Sequence, residues 1–580
     1  MKKRQRILAS ILVSVQLLAP ATVMGQEYLS YSEEKPAVAE IEVNNTPNRI
    51  VASFHGDTQT RLAFNWYTTD LAENPVVLVS TSKDMADPLV FEAEAKEVEN
   101  EYAERTEEGY FIFADVERDE EDDPVLDDEG NFTVKQGYFT DEGLEDEIDW
   151  IENGDDYGIN TFIPVKEHSY KAIADGLEAD TTYYYQVGSQ EGELSEIGTF
   201  KTSGESGEAF QFLHVTDTQN AFFNENTRNE AIWGGDTFRR ALDNSEADFV
   251  IHTGDWIDSA DLEDEWVDIF RHSQDSLLEL PWTVIPGNHD YDKVYGGHTY
   301  EEFNEHFNVP NVRTEENTGN YYSFDYNGVH FVVADTDEQE FNDEGAMFTE
   351  EQMTWLREDI QAARDNGAKW VILGYHRPLF SMSYHSLQDE EIQPVRDELM
   401  QMIDELDVDL VLNGHDHNLS RTKPLVYADN FASAEVDYAE VILGSDMVEY
   451  YVNPEGTVFN LPNTAGTKTY EAIYNRPLDF IHTARPKLEW LTQEQVDYFR
   501  TLFAVGMQPQ QSQAFVDSHS NYRDSDVQTY SIIDVTEDTI VVKTYNVYGD
   551  LLQGEERITQ LVDSYGIYKG DNPESLTEAQ

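Results

Sequence analysis

The sequence predicts an all-β sandwich followed by a larger α/β domain, and three observations carry that reading. Residues 37–202 hold alternating and aromatic runs of strand character. Ser203-Gly204-Glu205-Ser206-Gly207 then makes a short linker. Beyond it, apolar runs alternate with helical patterns, which is how α/β domains read. The 580 residues exceed what one ordinary core holds, so more than one folded unit is expected. A hydrophobic fraction of 39% and an aromatic fraction of 12%, with 32 Tyr and 29 Phe, exclude a disordered acidic chain.

The first element is an export signal over residues 1–25. Met1-Lys2-Lys3-Arg4-Gln5-Arg6 is a basic start, the stretch from Ile7 to Ala19 is apolar, and Ala19-Pro20-Ala21 or Gly25 offers small residues for cleavage. The apolar run is short for a membrane span. With no cysteine in the chain, lipid attachment at a thiol, disulfides and thiolate ligands are excluded. The mature chain is therefore expected outside the cell, released or held non-covalently at its surface, with no membrane segment after signal cleavage.

The sandwich is expected over residues 36–203. Arg61-Leu62-Ala63-Phe64-Asn65-Trp66-Tyr67 alternates in character, Val76-Val77-Leu78-Val79 follows, and Leu177 to Gly188 is a turn running into an aromatic strand. Between them, Glu97 to Asp156 is a long acidic stretch containing Asp119-Glu120-Glu121-Asp122-Asp123-Pro124. It reads as a solvated insertion, because its carboxylate spacing does not follow the EF-hand pattern. The α/β domain is expected over residues 208–555. Within it, Thr349-Glu350-Glu351-Gln352 has the form of a capping box, ahead of Met353, Leu356, Ile360 and Ala363 on one helix face. A second helix is expected around Thr492 to Phe503, and a late hairpin from Asp526 to Val547 turning near Glu537-Asp538. Residues 556–580 read as a C-terminal tail.

Charge narrows the function. The 37 Lys and Arg against 116 Asp and Glu give 37 − 116 = −79, which excludes nucleic-acid binding through a basic surface. A salt-rich or alkaline environment, calcium loading and plain solubility all account for such acidity, and its spread along nearly the whole chain favours adaptation of the whole surface. At ~1 M salt the screening length falls to roughly 3 Å and such a surface no longer repels itself. The sequence sets no oligomeric state.

The strongest observation is positional. Phe210-Gln211-Phe212-Leu213-His214-Val215 runs into Thr216-Asp217-Thr218-Gln219, and Phe249-Val250-Ile251-His252 runs into Thr253-Gly254-Asp255. Trp282-Thr283-Val284-Ile285 runs into Pro286-Gly287-Asn288-His289-Asp290, and Trp370-Val371-Ile372-Leu373 into Gly374-Tyr375-His376. Val408-Asp409-Leu410-Val411-Leu412 runs into Asn413-Gly414-His415-Asp416-His417. Ligands gather at the carboxyl ends of strands in α/β sheets, so these five ends can converge. The interposed glycines allow sharp turns.

In this order the five ends resemble the calcineurin-like metallophosphoesterases, over roughly Phe210 to Leu425. The resemblance implies a four-layer metallophosphoesterase sandwich, two central β-sheets flanked by helices, behind an all-β sandwich similar to fibronectin type III domains. It also implies two divalent or mixed-valence metal ions and a phosphate-ester substrate. Asp217 and His417 would hold the first metal, Asp255 would bridge both, and Asn288, His376 and His415 would complete the second. A metal-bridging hydroxide would attack phosphorus in line, with His289 assisting the leaving group and Asp290 orienting its ring. A narrower resemblance, to purple acid phosphatases and their bacterial relatives, rests on the N-terminal sandwich, on Tyr321 to Phe331, and on His376-Arg377-Pro378 followed by His385. That spacing implies substrate contact by His385.

Two positions depart from the purple enzymes. Asp258 stands where they carry a tyrosine whose charge transfer to iron gives the colour, and Gln219 stands where many relatives carry histidine. Gln219 either binds metal through its carbonyl oxygen or only hydrogen-bonds nearby. Mn, Zn or a mixed Fe/Zn pair fit the remaining ligands, and no strong visible band is expected. His214 and His252 read as packed or supporting groups, and His298, His306 and His330 as structural. No Gly-x-Ser-x-Gly elbow or Walker loop appears. Three functions remain: a phosphomonoesterase, a phosphodiesterase or nucleotidase using the same metals, and a surface-binding protein on a degenerate metal fold.

Overall fold

The computed structural model describes residues 29–32, 39–41, 43–107, 112–116, 125, 134–139, 159–160, 162–221, 230–293, 297–312, 320–339, 345–508, 521–522, 525, 527–551 and 553–578. The export signal and the Asp119–Pro124 run lie outside them. Among the described residues no helix is long and apolar enough to cross a membrane.

The N-terminal part is all-β. One four-stranded sheet runs β1 (Asn48–Ser53), β2 (Arg61–Thr68), β6 (Phe162–Asp175) and β5 (Glu94–Ala103). A second runs β8 (Gly198–Lys201), β7 (Thr182–Ser189), β3 (Pro75–Ser80) and β4 (Leu89–Glu92). Strand pairing in both is antiparallel, and short connections join β1 to β2, β3 to β4 and β7 to β8. Alternation along β2 puts Leu62, Phe64 and Trp66 into the shared core, where Trp66 stacks on Tyr170 at 5.2 Å. The start of the acidic stretch is not insertion: Glu97 to Ala103 pairs with β6 as the second half of β5.

The larger part has two central sheets. The first has the order β11 (Trp282–Val284), β10 (Phe249–His252), β9 (Phe210–Val215), β21 (Val527–Val535), β22 (Thr539–Tyr548), β23 (Ile558–Tyr568), β18 (Glu449–Val452), β17 (Glu440–Leu443). The second has the order β12 (Tyr322–Tyr326), β13 (Val329–Val333), β14 (Trp370–Gly374), β15 (Leu410–Leu412), β19 (Val458–Pro462), β16 (Leu419–Thr422), β20 (Phe503–Met507). Strands β9 to β11 are mutually parallel, as are β13, β14, β15 and β19.

Burial on both faces explains the near-continuous apolar runs of these strands. Phe212, Phe249, Phe331, Ile372, Leu410 and Ile533 meet between the sheets, and Phe212 stacks on Phe249 at 5.2 Å. Each such ring, fully buried, contributes roughly 1.5–3 kcal/mol. On the outer face of the first sheet pack α1 (Glu230–Asp243) and α2 (Glu263–Leu277). On the second pack α4 (Glu350–Asp365) and α6 (Arg396–Glu405). The short helices α3 (Glu301–His306) and α5 (His385–Gln388) sit in connections. The order is thus helices, sheet, sheet, helices.

Two sequence expectations change here and one holds. The tail reading fails for residues 558–568, because β23 pairs along β22 and buries Tyr565 and Ile567. The capping box at Thr349 is half made. Thr349 accepts from the Gln352 backbone N–H at 3.2 Å, but the Gln352 side chain pairs with the backbone of Asp335, at 2.8 Å both ways. A complete box caps α8 (Gln493–Thr501) through Thr492 and Gln495. The expected hairpin is present as β21 and β22.

A buried charged seam fixes the N-terminal sheet to α2. Arg49 of β1 meets Glu167 of β6 at 2.6 Å and also Glu263, the first residue of α2. Glu167 further accepts from Asn100 at 2.8 Å and Tyr102 at 2.9 Å, and Glu263 faces His306 at 3.0 Å. Acidic Glu263, Asp264 and Glu265 complement the positive end of the helix dipole.

Candidate metal centre

The carboxyl ends of the parallel strands carry the side chains singled out from sequence. Asp217 follows β9, Asp255 follows β10, Asn288 follows β11, His376 follows β14, and His415 and His417 follow β15. The turns that aim them are tight. Asp217 (φ 53°), Gln219 (φ 36°), Asp255 (φ 57°) and His415 (φ 71°) all lie in the left-handed region. Non-glycine residues seldom adopt it, and such strain collects at functional sites. Gly414 permits a close approach: a Cβ there would sit 2.2 Å from Thr216 Oγ1 and 2.9 Å from Asp217 Oδ2.

Two buried triads result, Asp217 with Asp255 and His417, and Asp255 with His376 and His415. Within each, the candidate ligand atoms lie within 4.8 Å of one another. Asp255 belongs to both. His376 Nε2 is 3.1 Å from Asp255 Oδ2, and His417 Nε2 is 3.2 Å from Asp217 Oδ1. The other ring nitrogens are held by backbone carbonyls, His376 Nδ1 by Thr253 at 2.7 Å and His417 Nδ1 by Lys468 at 2.8 Å. This fixes both rings with Nε2 inward, the arrangement that orients metal-binding histidines.

The residues fit a pair of cations. Asn288 Oδ1 and both amide atoms of Gln219 are buried with no hydrogen-bond partner among the described residues, while His376 Nε2 and His417 Nε2 face the carboxylates of Asp255 and Asp217. Buried polar atoms without partners are costly, and several around shared carboxylates point to a positive ligand. The charges agree. Burial opposes a proton on His376, but the Asp255 carboxylate raises its imidazole to about 9. The potential that holds a proton there would hold a cation. Burial and neighbouring cationic groups lower His415 well below its usual range, so it stands as a neutral ligand.

His289 lies beside this pair and is partly exposed. Its backbone N–H donates to Asp255 Oδ1 at 3.0 Å. Its ring is not oriented by Asp290, contrary to the sequence expectation. Asp290 is wholly buried and accepts from the backbone N–H groups of Asp255 (2.9 Å), Trp256 (2.8 Å) and Gly287 (2.8 Å), which ties two strand-end loops together. Burial, with repulsion from Asp255, pushes its carboxyl up to about 8. The ring partner of His289 is Asp258, whose carbonyl lies 2.7 Å from Nδ1 and whose carboxylate lies 3.5 Å away. Glu265 holds the Asp258 loop by accepting from the N–H groups of Asp258 and Ser259.

His385 is brought to the centre. It pairs with Asp416, and its ring centroid is 4.4 Å from that of His415. Tyr470 closes the same side, 5.2 Å from His385 and 4.6 Å from His417. Asp389 and Arg377 also face His415, at 3.1 and 3.4 Å. Arg377 follows a ligand position directly in sequence, whereas nothing around Asp389 or Tyr470 marks them. His214 and His252 are buried supporting groups, bonded to Thr253 and Thr218 respectively. His298, His306 and His330 pair with carboxylates of Asp337, Glu263 and Asp359 away from both triads.

The two buried triads share one aspartate and lie at the carboxyl ends of parallel strands in paired sheets flanked by helices. Residues 210–419 match the calcineurin-like phosphoesterase family, and residues 47–202 match the purple acid phosphatase N-terminal domain. The N-terminal domain match precedes the phosphoesterase match along the chain. It is similar to purple acid phosphatase 23 of Arabidopsis thaliana, 28% identical over 269 residues covering 43% of this chain and 57% of that one. It is also similar to the probable inactive purple acid phosphatase 9 of the same plant, 26% identical over 290 residues covering 44% and 42%. The chain spans about half the length of the curated relatives it matches. Its fold is similar to that of the purple acid phosphatase PPD1 from yellow lupin seeds. The TM-score is 0.56 at 16% identity, covering 91% of this chain and 75% of that one.

Proposed function

We propose that the chain is a secreted two-metal phosphoesterase that hydrolyses phosphomonoesters, with His289 assisting the departing oxygen. The observation that carries this reading is the place of Asp255 in both buried triads. Asp217, Asp255 and His417 would hold one cation, with Gln219 as ligand or hydrogen-bonding neighbour. Asp255, Asn288, His376 and His415 would hold the other. Bound there, two divalent cations supply Lewis-acid charge at the phosphoryl oxygens and lower the pKa of water. Their identity is Mn, Zn or Fe with Zn, and Asp258 in the place of a tyrosine supports a colourless pair.

The chain's own groups do the rest. Asp217 and Asp255 bring two negative charges, so two divalent ions leave the pocket positive toward an anionic ester despite the net charge of −79. The Nδ1–H of His289 donates to the Asp258 carbonyl, so Nε2 is the atom that would face the leaving oxygen, and it can give a proton there when the ring carries both protons as imidazolium. Asp290 keeps the loops of Asp255 and Asn288 in register. His385, held by Asp416, would contact substrate on the His415 side. Export is supported by the basic and apolar start of the sequence.

Paired rates on p-nitrophenyl phosphate and bis-p-nitrophenyl phosphate test the substrate class, and the monoester is expected to be the faster. A faster diester would move the reading to a phosphodiesterase or nucleotidase. No hydrolysis of either by the metal-loaded chain would favour a surface-binding protein.

A further inference from the structure

Two loops at the centre exchange carboxylate–histidine pairs. One loop carries His385 and, immediately past α5, Asp389. The other carries His415 and Asp416. His385 Nδ1 pairs with Asp416 Oδ1, while His415 Nε2 lies 3.1 Å from Asp389 Oδ2, so the pairs cross. The Asp389 N–H donates to the His385 carbonyl at 2.9 Å, which keeps the first loop tight. Asp389 is only 14% exposed and has Arg377 Nη1 at 3.6 Å as a second neighbour.

The contact fixes a tautomer. A carboxylate only accepts, so at 3.1 Å it calls for a proton on His415 Nε2. A guanidinium only donates, and Arg377 Nη1, at 3.4 Å from the same nitrogen, would need a lone pair there. The shorter, charge-assisted contact to the carboxylate prevails. Nδ1 is then the nitrogen of His415 left with a lone pair for the triad it forms with Asp255 and His376.

We infer that Asp389 is a positioning residue for the second cation, holding His415 with Nδ1 available and tying that ligand to the loop that carries His385. This rests on the two-metal reading above. Carboxylates placed behind metal-binding histidines change metal affinity by roughly 10–100-fold when removed. Asp389 groups with His385 and His415 and is not part of the triad of Asp217, Asp255 and His417, so its effect is expected on one half of the centre.

The test is a titration of Mn(II) into metal-stripped full-length chain, followed by metal analysis after dialysis. Wild type is expected to bind two equivalents. Asp389→Ala should bind the second about 10–100-fold more weakly with the first unchanged. Asp389→Asn, whose amide oxygen still accepts from Nε2–H, should fall between, and it keeps the question answerable where the alanine variant fails to fold. His385→Ala should keep both equivalents at wild-type affinity, because the Asp389–His415 pair is intact. Second-site affinity unchanged in both Asp389 variants overturns the inference and leaves the two-metal reading standing. Three equivalents in wild type also overturn it, since His385, Asp389 and His415 would then hold a cation of their own. No bound metal in wild type removes the two-metal reading itself.

Discussion

Two buried charged networks in this protein are built from the same residue types and finished in opposite ways. At the seam, Glu167 receives Arg49, Asn100 and Tyr102, and Glu263 receives Arg49 and His306. At the metal centre, Asn288 and Gln219 present buried atoms with no hydrogen-bond partner among the described residues. Backbone strain divides the same way. The seam has one left-handed residue, Arg49, at an irregularity in the pairing of β1 with β2, whereas the centre has four. Each such conformation costs roughly 1–3 kcal/mol, which the fold retains only where the surroundings enforce it. A network closed on itself stabilises the resting fold, and one left open is shaped for a ligand.

The comparison makes separable predictions. His289→Ala should lower kcat by roughly 10²–10⁴-fold and leave metal content unchanged, because His289 contacts the centre without belonging to either triad. Steady-state kinetics with metal analysis checks it, and loss of metal would place His289 among the ligands. Arg49→Ala should cost roughly 3–5 kcal/mol in urea unfolding, since it strands Glu167 and Glu263 in a buried setting. Its metal content should be that of wild type. A cost below about 1 kcal/mol would mean the seam is not the closed network it appears.

A smaller effect belongs to a third closed network. Burial works to lower the His330 imidazole, but the hydrogen bonds it donates to the Asp325 and Asp359 carboxylates raise it to about 9. A raised histidine stabilises the fold fully below its unfolded value of about 6.5 and loses that stabilisation as pH rises toward 9. Stability should therefore fall by up to roughly 3 kcal/mol between pH 6.5 and 9. His330→Gln should flatten that dependence, and an unchanged slope in the variant would assign it to other groups.

Much of the centre was legible in sequence because strand ends are local. An apolar run followed by Gly-Asp, Gly-Asn-His or Gly-His-Asp-His announces both the strand and what its end presents, and the structure brings those ends together. The partners of those groups were not legible, because they are set by contacts across the fold. Asp290 follows His289 in sequence yet binds backbone N–H groups, while Asp258, 31 positions earlier, holds the ring. Thr349 and Thr492 head equally good capping boxes, but tertiary contact with Asp335 takes the Gln352 side chain away from one of them. Residues 558–568 looked like a tail because only their last residues are well buried, and pairing with β22 and β18 reveals them as a strand.

The central claim is that Asp255 serves two cations at once, and metal content per chain tests it most directly. Wild type loaded with Mn(II) or Zn(II) and dialysed should retain about two ions, and Asp255→Ala should retain fewer than one, since both triads lose a ligand. Activity in that variant should drop by at least about 10³-fold. Retention of two ions by Asp255→Ala, or retention of none by wild type, would contradict the account.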